Sequence, residues 1–140
     1  MKKLPNRVLY DDELDAWGRA HIPGFHGTHA RTSAGRVIPR MKAGDSVIFN
    51  LDPRYSHGGT HWVALRVSRW APLAYYKDSF GAPPPEDVRR AVSNRGLGLV
   101  YGNRMRQKID EENCGKRAAE WLRDMAAAGV HEIDLFVKSE

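Results

Sequence analysis

His61, Asp78, Gln107 and Cys114 occur in an order that thiol chemistry can use. Only a thiolate attacks a carbonyl carbon readily, and a free cysteine is mostly protonated at neutral pH, so a catalytic cysteine needs a base and a local positive potential. His61 can take the thiol proton, and Asp78 can hold the other ring nitrogen in the required tautomer. Gln107 can donate its side-chain amide to a developing oxyanion, an interaction worth about 2.7 to 4 kcal/mol in a transition state. Cys114 follows Asn113 and heads a segment in which Cys114, Ala118, Trp121, Leu122 and Met125 recur at helical spacing, with Lys116, Glu120, Arg123 and Asp124 between them. The thiol is therefore expected in the first turn of a helix, where unpaired amides and the helix dipole favour a thiolate.

Each residue also has an ordinary explanation. A free cysteine packs as a small hydrophobe, His61 could be a satisfied core histidine, Asp78 a turn residue before Ser79 and Gly81, and Gln107 a surface glutamine. The four together carry the argument. Competing chemistries have fewer parts. His26 with His29, or His57 with His61, lacks the further cysteines of a structural zinc site, so neither a metal nor a cofactor is expected. Ser79 has no Gly-x-Ser-x-Gly elbow around it, and Gly96-Leu97-Gly98 is too short to cradle a phosphate.

The elements that must position these residues can be read from pattern. Asp11 is expected to cap a helix carrying Leu14 and Trp17 on one face and ending near Gly18 to Gly24. Residues Ile22 to Lys42 hold scattered glycine, proline and basic residues and read as irregular. Val47 to Leu51 reads as a buried strand, and Trp62 to Val67 with Leu73 to Ser79 as a hairpin turning near Arg69 and Trp70. That turn places position 61 across from position 78, on the same face of the sheet. Pro83-Pro84-Pro85 stops the second strand, a helix runs from Pro85 through Val88, Ala91 and Val92 to Gly96, and Leu97 to Tyr101 is a further strand. The cysteine helix ends at Gly129, and the alternation of Ile133, Leu135 and Val137 predicts a closing strand over His131 to Val137.

The 140 residues, 41% hydrophobic and 28% charged, are read as one globular domain over 1–140. No apolar run approaches the roughly 20 residues of a membrane span, and no secretory signal follows Met1-Lys2-Lys3. A lone cysteine permits no intramolecular disulfide and suits a reducing compartment. The net charge of +5 makes sequence-independent contact with a polyanion such as DNA an expectation, through Arg31, Arg36, Arg40, Lys42, Arg66, Arg69, Arg89, Arg90, Arg95, Arg104, Arg106 and Lys108.

Gly58-Gly59-Thr60-His61-Trp62-Val63-Ala64, Tyr75-Tyr76-Lys77-Asp78-Ser79-Phe80-Gly81, Gln107 and Asn113-Cys114-Gly115 together resemble the adenovirus protease (adenain) family and its relatives in large DNA viruses. The related ubiquitin-like (SUMO) proteases share the His, Asp, Gln, Cys order. The resemblance spans roughly Val47 to Met125, with a weaker echo in Ile22-Pro23-Gly24-Phe25. It implies an α+β, papain-like fold of adenain-type permuted order, with a small, mostly antiparallel sheet packed on a central helix that begins at Cys114. It implies His61 as base, Asp78 as its partner, Gln107 as oxyanion donor, Cys114 as nucleophile, and Trp62 packed beside them. The implied function is a cysteine endopeptidase that matures viral capsid or core precursors after small residues such as glycine, inside the virion or the host cell. The alternatives are a SUMO or ubiquitin-like deconjugating protease, and a basic DNA-binding or structural protein that keeps the protease fold. Lys116 and Arg117 depart from the apolar residues with which the family continues. The family's covalent peptide activation uses a second cysteine, so this chain, with Cys114 alone, is expected to have no disulfide-linked activator.

Overall fold

A computed structural model describes residues 4–7, 9–51, 61–102 and 113–139. Five strands form one sheet in sequence order: β1 (Phe25–Ala30), β2 (Ser46–Asn50), β3 (Trp62–Val67), β4 (Leu73–Lys77) and β5 (Gly98–Tyr101). Helices cover both faces. Strand alternation sends Ile48, Trp62, Ala64 and Tyr75 toward α1 (Asp11–His21), α4 (Cys114–Ala128) and α5 (Glu132–Ser139). It sends Val47, Phe49, Val63, Leu65, Ala74 and Tyr76 toward α2 (Ala34–Val37) and α3 (Glu86–Asn94). Because β2 and β3 are buried on both faces, they read as continuous apolar runs, and each large apolar side chain enclosed there contributes about 1.5 to 3 kcal/mol.

The sheet is evenly mixed rather than mostly antiparallel. β2–β3 and β3–β4 pair antiparallel, while β1–β2 and β4–β5 pair parallel. Each parallel pair is joined through helix, residues 31–40 in one case and α3 in the other, as a parallel connection requires. The hairpin register also differs from expectation. Ala64 faces Lys77 and Leu65 faces Tyr76, a slip of two positions from the pairing of 61 with 78. Two is the period of the strand, so the slip leaves residues 61 and 78 on one face, diagonal rather than opposite.

Residues 22–42 are not irregular. They contain β1 and the short α2. β1 is fixed by polar contacts that leave no apolar alternation: the Asp15 carboxylate accepts from the Thr28 N–H (2.7 Å) and the Thr28 hydroxyl (3.0 Å). Gly27, at φ 91°, lies within the register irregularity between Phe25 and Thr28. At the start of α1 Asp11 is the first helical residue rather than the cap, and the Glu13 carboxylate accepts the Tyr10 N–H at 3.1 Å.

The expected strand over His131 to Val137 is helix α5. Period-two alternation over so short a run does not distinguish strand from helix. The face that docks carries Glu132 and Phe136, one helical turn apart, while Ile133 and Val137 are exposed. Glu132 is only 2% exposed and accepts from Arg66 Nη2 (3.3 Å) and the Ser68 hydroxyl (2.5 Å), tying α5 to β3. Removing one partner of a buried ion pair strands the other, so Glu132→Ala should cost about 3 to 5 kcal/mol in a urea unfolding titration. A loss below 1 kcal/mol would show that the pair does not hold α5.

Candidate active site

The chain after β4 builds its own support for Asp78. Gly81, at φ 76°, closes a turn in which its N–H donates to the Asp78 carbonyl at 2.8 Å. Within that turn Asp78 Oδ1 accepts the Phe80 N–H at 2.8 Å, the side-chain-to-backbone bond to which aspartate is suited. The same oxygen meets His61 Nε2 at 2.6 Å. The Asp78 side chain is 2% exposed and that of His61 18%, so the pair is shielded from water on one side and open on the other. Phe80 stacks on the His61 ring with centroids 4.5 Å apart.

Cys114 arrives from the opposite face of the sheet, at the head of α4 where β3 begins and β4 ends. It is 7% exposed, and its sulfur accepts the Trp62 backbone N–H at 3.4 Å. With Nε2 engaged by Asp78, Nδ1 is the His61 nitrogen left to face the thiol. Nδ1 is buried and makes no hydrogen bond of ordinary geometry, and Cys114 interacts with the ring. Burial alone would pull the His61 pKa down. The hydrogen bond to Asp78 and then the interaction with Cys114 overcome it and push the pKa from 6.5 up to about 9.

Close packing fixes where the sulfur sits. Gly115 lets the first turn of α4 lie against β3, because a Cβ there would come within 3.0 Å of Trp62 Cδ1 and 3.3 Å of Leu14 Cδ1. The Trp62 indole N–H donates to the Leu9 carbonyl at 3.1 Å. Asn113 occupies the N-cap position of α4 without a side-chain cap bond to a first-turn amide. Lys116 and Arg117 have local partners: Lys116 Nζ donates to the Leu4 carbonyl (3.1 Å) and Arg117 Nε to Asn113 Oδ1 (3.0 Å).

The structure thus brings His61, Asp78 and Cys114 together, with Trp62 beside them. Gln107 lies outside the described residues, as do Gly58 to Thr60 and His57. His26 Nε2 is bonded to Asp45 Oδ2 (2.7 Å) and His29 Nε2 to the His26 carbonyl (2.8 Å), so those nitrogens serve the fold. No group of three potential metal ligands occurs among the described residues, nor any helix long and apolar enough to cross a membrane. Sequence reasoning missed two contacts: the stacking of Phe80 and the Trp62 N–H on sulfur. The Asp-Ser-Phe-Gly run was the available signal for the first, since an Asx turn brings residue 80 back over its own carboxylate.

No family model and no curated protein matches the sequence. Among solved structures, the fold is similar to that in the crystal structure of the ASFV pS273R protease, with a TM-score of 0.65 and 17% sequence identity. The likeness covers 92% of this chain and 62% of that one, so this chain spans less than two thirds of the length of the protein it resembles. At that identity the likeness is one of fold, an α/β architecture shared with a protease.

The raised His61 pKa has a consequence for stability. The folded protein holds the proton more tightly than the unfolded chain, so this contribution is complete below pH 6.5 and is lost as pH rises through about 9. The unfolding free energy should therefore fall between pH 6.5 and 9, and NMR titration should find the His61 ring protonating near 9. Asp78→Asn should lower that midpoint and flatten the slope. A wild-type midpoint at or below 6.5 would contradict the geometry.

Proposed function

We propose that the chain is a cysteine endopeptidase with His61, Asp78 and Cys114 as its reacting unit. The observation that carries this reading is the division of labour on one imidazole, Nε2 held by a buried carboxylate and Nδ1 left for a thiol at a helix N-terminus. Similarity of fold to a protease supports it.

In this reading His61 takes the Sγ proton, and the thiolate adds to the carbonyl carbon of the scissile peptide bond. Negative charge moves to the carbonyl oxygen, where the first-turn amides of α4 stabilise it and Gln107 is proposed as the further donor. Collapse expels the amine, which takes the proton from His61 and leaves an acyl-thioester on Cys114. Water, deprotonated by His61, hydrolyses the thioester and restores the thiol. Asp78 holds the ring so that it stays aimed at sulfur while its charge changes. The substrates proposed are viral capsid or core precursors cut after small residues such as glycine, in the virion or the host cell.

DNA is proposed as an accessory partner, contacted without regard to sequence. Arg36, Arg40, Lys42, Arg89 and Arg90 are exposed on or beside the α2–α3 layer, across the sheet from α4, so a polyanion could lie there without covering Cys114.

Cys114→Ala should abolish cleavage of a glycine-containing precursor peptide with the fold retained, and His61→Ala should be nearly as damaging, since such groups act as a unit. Gln107→Ala should lower kcat by about 10²-fold with little change in KM. Substantial turnover by folded Cys114→Ala would sink the mechanism, and a pure KM effect at Gln107 would remove its oxyanion role. For DNA, four phosphate contacts predict that duplex affinity drops by about 10²-fold between 50 and 200 mM salt. Affinity indifferent to salt, or absent at 50 mM, would leave the basic layer without that partner.

A further inference from the structure

Residues 4–7 and Leu9, ahead of α1, lie on the neighbours of the nucleophile. The Leu9 carbonyl accepts the Trp62 indole N–H (3.1 Å), the Leu4 carbonyl accepts Lys116 Nζ (3.1 Å), and Asn6 Oδ1 accepts Asn113 Nδ2 (2.9 Å). Trp62 is the residue whose backbone N–H touches sulfur, Asn113 immediately precedes Cys114, and Lys116 follows it by two. Leu4 and Leu9 are buried in the same core as Cys114. The stretch also borders a cavity of about 660 Å³, lined by Leu4, Pro5 and Arg7 together with Trp17 and His21 of α1. These directed bonds and two leucines seat it on the site.

The Asn113 contact has a chemical consequence. Asparagine at an N-cap ordinarily turns its side-chain oxygen onto an amide of the first turn, satisfying a donor and stabilising the helix. Here both ends of the Asn113 amide are held elsewhere, Nδ2 by Asn6 and Oδ1 by Arg117, and no side-chain cap bond forms. The Asn113 side chain therefore leaves the first turn of α4 uncapped.

We propose that residues 4–7 and Leu9 form a positioning strap for the reaction centre, in which Asn6 at Nδ2 assists Arg117 at Oδ1 in keeping the Asn113 amide from capping α4. The proposal rests on the reading of Cys114 as nucleophile and concerns what keeps its helix terminus open. Asn6 touches neither substrate nor sulfur and acts through Asn113. Without Asn6 the Asn113 amide keeps only its Arg117 bond, and the first-turn amides compete with Arg117 for Oδ1, which weakens stabilisation of negative charge at the active centre while strengthening the helix.

Opposite movement of activity and stability distinguishes this role from packing. Asn6→Ala should lower kcat about threefold to tenfold at unchanged KM and slow iodoacetamide alkylation of Cys114 at pH 7 by a similar factor. Its melting temperature should be equal to or above that of the wild type. Asn6→Asp, which keeps an acceptor for Asn113 Nδ2, should retain the wild-type values. In an Asn113→Gly background, where there is no side chain to swing, Asn6→Ala should cause no further loss. Unchanged kcat and alkylation rate in Asn6→Ala, or equal losses with and without the Asn113 side chain, would overturn the proposal. Alkylation reads the thiol itself, so if the full chain cleaves no peptide the proposed activity fails while the strap is still decided.

Discussion

One carboxylate oxygen organises this site. Asp78 Oδ1 accepts both the Phe80 N–H of its own turn and His61 Nε2, so the turn that ends β4 also sets the direction in which the imidazole points. Because the carboxylate is buried and anchored through backbone, it cannot follow the ring if the ring rotates. Phe80, brought back over the ring by that turn, closes off its face. The arrangement requires strands β3 and β4 to keep their register, since a slip of a single residue would send His61 and Asp78 to opposite faces. Burial of both faces of β3 makes such a slip costly.

The second constraint is the approach of α4. A helix terminus carries a useful concentration of unpaired amides, but only if the nucleophile sits in the first turn and that turn reaches the strand bearing the base. Gly115 permits the approach, and the Trp62 indole, bonded to the Leu9 carbonyl, gives it a fixed surface to meet. Trp62 is therefore bound on two sides, its ring to the chain ahead of α1 and its backbone N–H to the sulfur. The helix comes from one face of the sheet and the His–Asp pair from the other, so His61, Asp78 and Cys114 meet at the sheet's end.

Much of this was legible in the amino-acid order because the candidate site residues sit in short motifs with strong local signals. Cys114 heads a helix with a clear apolar stripe, and the strands carrying His61 and Asp78 are apolar runs bounded by turn residues. Even the wrong hairpin register kept the two residues on one face, since its error equalled the strand's period. The failures lie where polar contacts replace hydrophobic pattern. β1 is held by Asp15 and Asp45 rather than by apolar alternation, and α5 docks through Glu132, a residue that sequence reading places on a solvated face. The alternation of Ile133, Leu135 and Val137 suggested a strand only because that buried carboxylate was invisible. The even mixture of parallel and antiparallel pairs depends on crossovers that the pattern of residues 22–42 did not announce.

The central claim is that the fold makes Cys114 a nucleophile by placing its sulfur between His61 and a helix terminus. Covalent capture tests it most directly. A peptide whose C-terminal glycine carboxyl is replaced by a vinyl methyl ester, a Michael acceptor that leaves a stable thioether, should be incubated with the native protein, the denatured protein and the His61→Ala variant, and the adduct located by intact mass and peptide mapping. The account predicts a single adduct on Cys114 that forms at least about 10²-fold faster in the native protein than in either control. Equal rates in the native and denatured chains, or an adduct on another residue, would contradict it.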